Sequence, residues 1–274
     1  MSDEPPLIGE RFDEELIHGY CWKSGNEEEL AILVAKLLLG QHRHVRKIME
    51  GVSSPNPSFT KTMVEHTLNK LAPSSDAAKL HRDGWLFQII AWIGIRIADR
   101  GQLLISPPHD RPADKGFDAL VIKLSKDSAT PVAMMICEEK ATENPRNKFQ
   151  QQVLHEFRDC KSGARDAEIK SELTTLLEAS VADEDVDEFL DLVMWQRERA
   201  YRVCLTIPES DPDNTYLSKL FKGFDDEVDG SVSQRRAETF HVEQLRDWMD
   251  RFAEKVTEQL KSMKGGAWCT IRNR

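Results

Sequence analysis

Two short stretches carry residue types at a spacing suited to metal-assisted phosphate chemistry: Asp118 in KGFDALVIKL, and Glu138, Glu139 and Lys140 in MMICEEKAT. In an extended strand alternate side chains share a face, so Glu138 and Lys140 emerge together, about 6.8 Å apart, while Glu139 points the other way. A hairpin between the two stretches brings Asp118 beside Glu138. Two carboxylates held side by side raise each other's pKa, and a hard divalent cation with oxygen ligands relieves that repulsion. Magnesium is the expected occupant, with manganese as a substitute. The chemistry so supported is in-line attack of water on a phosphodiester, without a covalent intermediate. Lys140 would orient the water or offset charge on the five-coordinate phosphorus. The bland alternative makes the three side chains the solvated ends of a hairpin.

Acid-x-Lys is a weak string by itself. It recurs at Asp159-Cys160-Lys161 and Glu168-Ile169-Lys170, but both lie in sequence that reads as helix or loop, where no neighbouring strand supplies the second acid. The elements around 138–140 are better defined. Asp83 can cap a helix in which Trp85, Leu86, Ile89, Ile90, Ile93 and Ile97 cover nearly every face, which predicts burial against a sheet. Apolar stretches at 103–106, 117–124 and 132–138, separated by Pro- and Gly-rich turns, predict a three-strand meander. Pro145 then opens a helix over 147–161, with Phe149, Val153 and Phe157 on one face. After a long helical excursion the run 201–207 predicts a strand pairing in parallel.

The result is an α/β core with a mixed sheet over residues 81–208. Residues 1–80 read as an N-terminal helical layer, with helices at 27–50, weakened at Gly40, and at 60–71. Residues 209–274 read as a C-terminal extension: an acidic loop at 225–229, a strand at 238–242 and a long helix over 243–263. Together the three read as one compact unit.

This order, with Asp118 on the second strand and Glu138-Glu139-Lys140 closing the third, resembles the PD-(D/E)XK nucleases. That resemblance covers Asp83 to Pro208 and implies a restriction-endonuclease-like core. It also implies metal binding by Asp118, Glu138 and the backbone carbonyl of Glu139, with Lys140 as the catalytic lysine. The Pro of the motif is absent, Phe117 standing before Asp118. The chain length, the helical N-terminal layer and the pattern DGW…GFDALVI…ICEEKAT are similar to the nuclease subunits of Hachiman-type antiphage defence systems. This implies DNA as substrate and a helicase as partner protein. A non-catalytic subunit that keeps the nuclease fold to bind a partner or DNA ends is the alternative.

Net charge is −10 over 274 residues, the wrong sign for a protein that grips DNA unaided, so a local basic strip or a partner is required. Lys148, Arg158, Lys161 and Arg165 are candidates for that strip, and Gln150, Gln151 and Gln152 for a polar side chain near the site. His42 and His44 read as surface residues, His109 and Asp110 as a loop turn, and the acids of 183–191 as the solvated start of a helix. Five widely spaced cysteines (21, 137, 160, 204 and 269) suggest reduced, packed thiols. No apolar run approaches the roughly 20 residues of a membrane helix, and no secretion signal opens the sequence, so a cytoplasmic location is expected. Phosphate-loop, dinucleotide and serine-hydrolase motifs are absent, so any ATP-driven step needs another chain.

Overall fold

The computed structural model describes residues 4–99, 102–112, 116–126, 130–196 and 198–265. A seven-stranded mixed sheet runs through the molecule in the order β1-β2-β7-β6-β5-β4-β3, with helices packed on both faces. The strands are β1 (Leu7–Asp13), β2 (His18–Ser24), β3 (Leu103–Ile105), β4 (Ala119–Leu124), β5 (Pro131–Lys140), β6 (Arg199–Ile207) and β7 (Arg235–His241). The expected meander is present as antiparallel β3-β4-β5. The expected parallel strand is β6, joined to β5 through the register Glu138↔Val203. Among the described residues no helix is long and apolar enough to cross a membrane.

One face of the sheet carries α1 (Glu27–Leu38), α2 (His42–Met49), α3 (Lys61–Leu71), α4 (Asp76–Ala98) and the C-terminal helix α11 (Leu245–Gly265). Asn26 and Thr60 cap α1 and α3 by accepting the N–H of Glu29 and Met63. The predicted helix over 27–50 is two helices, because Gly40 takes φ +71°, a left-handed conformation that ends α1. The other face carries α5 (Pro145–Lys148), which passes through a π-turn at Phe149–Val153 into α6 (Leu154–Lys161). There follow α7 (Asp166–Glu178) and α8 (Asp183–Asp191), the latter with its acids largely solvated, as expected, and then α9 (Asn214–Leu220) and α10 (Phe224–Glu227). α10 occupies most of the expected acidic loop.

Three expectations need correction. The N-terminal layer is not wholly helical: β1 and β2 form an antiparallel hairpin that joins the main sheet through β2 and β7. β1 is an edge strand with most side chains in solvent, so it lacks the apolar alternation by which strands are read. Gly19 lets β2 approach closely, since a Cβ there would stand 1.7 Å from the Ala237 carbonyl oxygen. Asp83 caps nothing: Ser75 caps α4, and Asp83 lies buried inside it, held by Arg82 at 3.0 Å and Arg246 at 2.7 Å. Two guanidiniums make that interior carboxylate tolerable. His44 is buried, not a surface residue, because α2 turns it inward beside α1; His42 is half-buried. The four cysteines among the described residues are free thiols, three of them buried, and Cys269 lies outside those residues.

Candidate active site

Asp118 sits one residue before β4, and continuing the Ala119↔Cys137 register sets it opposite Glu138 on β5. The turn that delivers it is pinned from α4. Trp85 donates its indole N–H to the His109 carbonyl at 2.7 Å, and the His109 ring lies 2.7 Å from the Phe117 carbonyl. His109 thus braces the loop before Asp118, a more specific task than the loop turn read from sequence. On β5 the pleat works as expected. Met134 and Ile136 enter the core against α6 and α7, and Glu138 and Lys140 continue that face to the end of the sheet.

The structure brings Asp118, Glu138 and Lys140 together. The Lys140 ammonium lies 2.6 Å from Glu138 Oε2 and 3.2 Å from Asp118 Oδ2. Asp118 Oδ2 also accepts the Glu139 backbone N–H at 2.6 Å. N–H and C=O of one strand residue point to the same edge, so the Glu139 carbonyl faces this edge too. Two further side chains complete the cluster. Gln88, from α4, donates its amide to Asp118 Oδ1. Glu156, from α6, stands 3.5 Å from the Lys140 ammonium and accepts the Gln152 amide at 2.9 Å. Gln152 is the one member of the 150–152 run that lines the cleft; Gln150 and Gln151 are exposed.

Sequence reading passed over Gln88 and Glu156. Gln88 did leave a signal, as the lone polar side chain interrupting the apolar run of α4. Glu156 left none, being an acid on an amphipathic helix. It stands on α6 three residues beyond the π-turn.

These groups line a cleft of about 560 Å³ between α4 and α6 at the end of the sheet. Its electrostatics are those of crowded acids around one base. Burial pushes the Glu138 carboxyl well above the usual range; the Lys140 ammonium pulls it back, while Asp118 and Glu156 push it further up. Burial opposes the Lys140 charge, yet the three carboxylates outweigh it and raise the ammonium well above an ordinary lysine. Burial likewise works against the Glu156 charge, but Glu138 and Lys140 together bring that carboxyl below its ordinary value.

Glu139 turns the other way, as the pleat requires, into a sealed network. Its carboxylate accepts from Arg202, and Arg202 reaches Glu238 at 2.6 Å. Glu238 also accepts from Arg236 at 2.5 Å and from the Trp22 indole at 2.8 Å. Only the backbone of Glu139 is thus available to the cleft.

The expected basic strip is largely spent on ion pairs. Arg158 holds Glu227, Lys161 holds Asp229 at 2.8 Å, and Arg165 holds Glu168 at 2.7 Å while its guanidinium stacks 3.8 Å from the Phe117 ring. Lys148 lines the cleft with no acidic partner among the described residues. No family model matches the chain, and neither does any curated protein.

Proposed function

We propose that the protein is a divalent-metal-dependent deoxyribonuclease of the PD-(D/E)XK type, cutting phosphodiester bonds with Asp118, Glu138 and Lys140. The observation that carries this reading is the gathering of Asp118, Glu138 and Glu156 around one ammonium at the mouth of an open cleft. Three carboxylates against one lysine leave a local excess of negative charge, a costly arrangement for a merely structural site. The order helix, three-strand meander, helix, parallel strand agrees with the core that the motif implies.

The donor set fits magnesium or manganese in chemistry, being all oxygen and anionic. The second Glu156 oxygen makes no close hydrogen bond and faces the Lys140 ammonium at 3.5 Å. Among the described residues no three acidic, histidine or cysteine side chains converge as a ready-made cage, and the Lys140 ammonium stands between the carboxylates of Asp118 and Glu138. The residues that would hold the cation are Asp118, Glu138 and the Glu139 carbonyl, with Lys140 beside it. When bound it supplies Lewis-acid stabilisation of charge on the phosphoryl group. The chain's own residues do the rest: Gln88 and the Glu139 N–H fix the Asp118 carboxylate, Lys140 neutralises charge developing on phosphorus, and Glu156 with Gln152 positions the lysine.

The Hachiman-type resemblance extends this reading to an effector subunit that works with a helicase. The net charge of −10 and the neutralised strip beside α6 favour that extension, since a partner would then supply most of the grip on DNA. A non-catalytic subunit would gain nothing from the crowded acids, which favours the enzyme.

The test is incubation of supercoiled plasmid with magnesium or manganese and purified wild type, Glu138→Ala or Lys140→Ala. Calorimetric titration of Mn²⁺ into wild type and Glu138→Gln accompanies it. Cleavage and Mn²⁺ binding by wild type, both lost in the variants, are expected. Equal cleavage by all three proteins, or equal Mn²⁺ binding by wild type and Glu138→Gln, would overturn the assignment.

A further inference from the structure

A second concentration of charge lies along α4 beyond the cleft, and its sign is opposite. Gln88, Trp92 and Arg96 follow one another at four-residue intervals, so they form one stripe along the helix, with Arg96 about 12 Å from Gln88 by helical rise. At the Arg96 end a pocket of about 470 Å³ opens between α2, α4, the sheet-edge strand β3 and α7. Its cationic wall is Arg43, Arg46 and Arg96, with the His42 imidazole beside them, and its floor is the Trp92 ring, over which the Arg96 guanidinium lies at 5.0 Å.

These arginines are poorly answered from within the chain. Arg96 donates to the Leu103 carbonyl at a long 3.3 Å, and its Nε is buried with no hydrogen-bond partner. Arg46 Nε makes no hydrogen bond and stands 3.8 Å from Glu50 in a loose i,i+4 ion pair, while 37% of the Arg46 side chain stays exposed toward the pocket and solvent. An Nε–H removed from water and left unpaired costs free energy, and like charges brought together cost more. Consistent with this, burial and then the neighbouring Arg46 push Arg96 down to about 10. Burial also lowers His42, with Arg43, Arg96 and Arg46 acting in the same direction against its hydrogen bond to Gly40. Glu172 is the acid on the opposite wall; burial raises its carboxyl, although a hydrogen bond with Ser106 and the charge of His109 hold it back.

We infer that this pocket is a phosphate-binding site, in which the guanidiniums of Arg46 and Arg96 grip a phosphate group and Arg43 and His42 close the rim. Planar guanidinium forks match phosphate oxygens in pairs, and an anion there would satisfy the buried donors while relieving the repulsion between the arginines. The inference stands apart from the nuclease reading, because Arg46, Arg96, Arg43 and His42 all lie outside the cluster around Lys140. Two sources carry the same chemistry: a free nucleotide, or the backbone of a nucleic-acid strand running along α4.

Calorimetric titration tests it, with inorganic phosphate, a mononucleotide and a short single-stranded oligonucleotide as separate probes. EDTA is present, and ionic strength is held constant with sodium chloride. Wild type, Arg46→Met and Arg96→Met are compared, with circular dichroism to confirm folding; Arg96→Lys keeps the charge should Arg96→Met fail to fold. Saturable binding by wild type is expected, weakened about ten-fold or more in each Met variant and less in Arg96→Lys. A shift of the His42 imidazole resonance should accompany it. Preference for the oligonucleotide, lost in the same variants, identifies a strand as the source; binding of the small phosphates alone identifies a free nucleotide. No saturable binding of any probe, or variants that bind as wild type does, would overturn the inference.

Discussion

Glu138 and Glu139 are neighbours on one strand, equally buried, and they meet opposite fates. Glu138 faces the cleft, where its counter-charge is a flexible, partly exposed lysine shared with two other acids. Glu139 faces the sealed layer beneath α4, where rigid arginines on β6 and β7 tie it to Glu238 and, through Arg236, to Asp99. The difference teaches that burial alone does not make a carboxylate a functional group. What matters is whether the compensating charge can move and whether the space beside it is open to another ligand.

The largest effect should come from the sealed side. Arg202→Met leaves Glu139 and Glu238 facing each other without the guanidinium between them, and urea denaturation should show a loss of about 3–5 kcal/mol. A loss under about 1 kcal/mol would break the contrast, because the network would then be no more binding than surface pairs. On the open side the order reverses. Glu138→Gln should lower plasmid cleavage by about 10²-fold or more while leaving the urea midpoint unchanged or higher, since a neutral amide replaces a carboxyl whose charged form burial and the neighbouring acids already disfavour. A variant that cleaves normally but unfolds more easily would make Glu138 structural.

The network also predicts how stability follows pH. Burial pushes Glu139 up to about 8, although Arg202 pulls it down, while Asp118 and Glu238 add to the rise. The folded state therefore keeps a proton that the unfolded chain releases near 4.5, and this contribution to stability is lost as pH rises from about 4.5 through 8. Glu139→Gln should flatten the melting temperature across that window. Burial would raise Glu238 as well, but Arg202 and Arg236, with hydrogen bonds from Arg202 and Trp22, carry it down to about 2. Its contribution is present above about 4.5 and is lost as pH falls toward 2, so Glu238→Gln should flatten the acid limb instead. Identical pH profiles for the two variants would contradict this division. The smallest effect belongs to Gln88→Ala, which should cost about 1 kcal/mol of stability and roughly ten-fold in cleavage by freeing one oxygen of Asp118.

Much of the central fold was legible because it is written in local alternation. β3 to β6 announce themselves as apolar runs between turn residues, and the charges of Glu138 and Lys140 stand out at the end of an otherwise apolar face. The N-terminal hairpin was not legible, since β1 exposes most of its side chains and carries no repeating apolar signal. Ser75 as the cap of α4, and Asp83 as a buried ion-pair partner, were hidden for another reason. Serine and aspartate both suit a cap, and it is Arg246, far along the chain on α11, that takes Asp83 as an ion-pair partner instead. Glu156 was hidden in the same way: nothing in an amphipathic helix says which of its polar groups will reach across to a strand.

By itself the sequence determined which side chains share a face of β5. The two-residue repeat of a strand is covalent geometry and needs no partner. Only the tertiary structure decided what each face meets: Gln88 and Glu156 closing on one side, Arg202 and Glu238 on the other. Those pairings join residues from 16 to 63 positions apart, and their energies depend on distance and burial that no local pattern encodes.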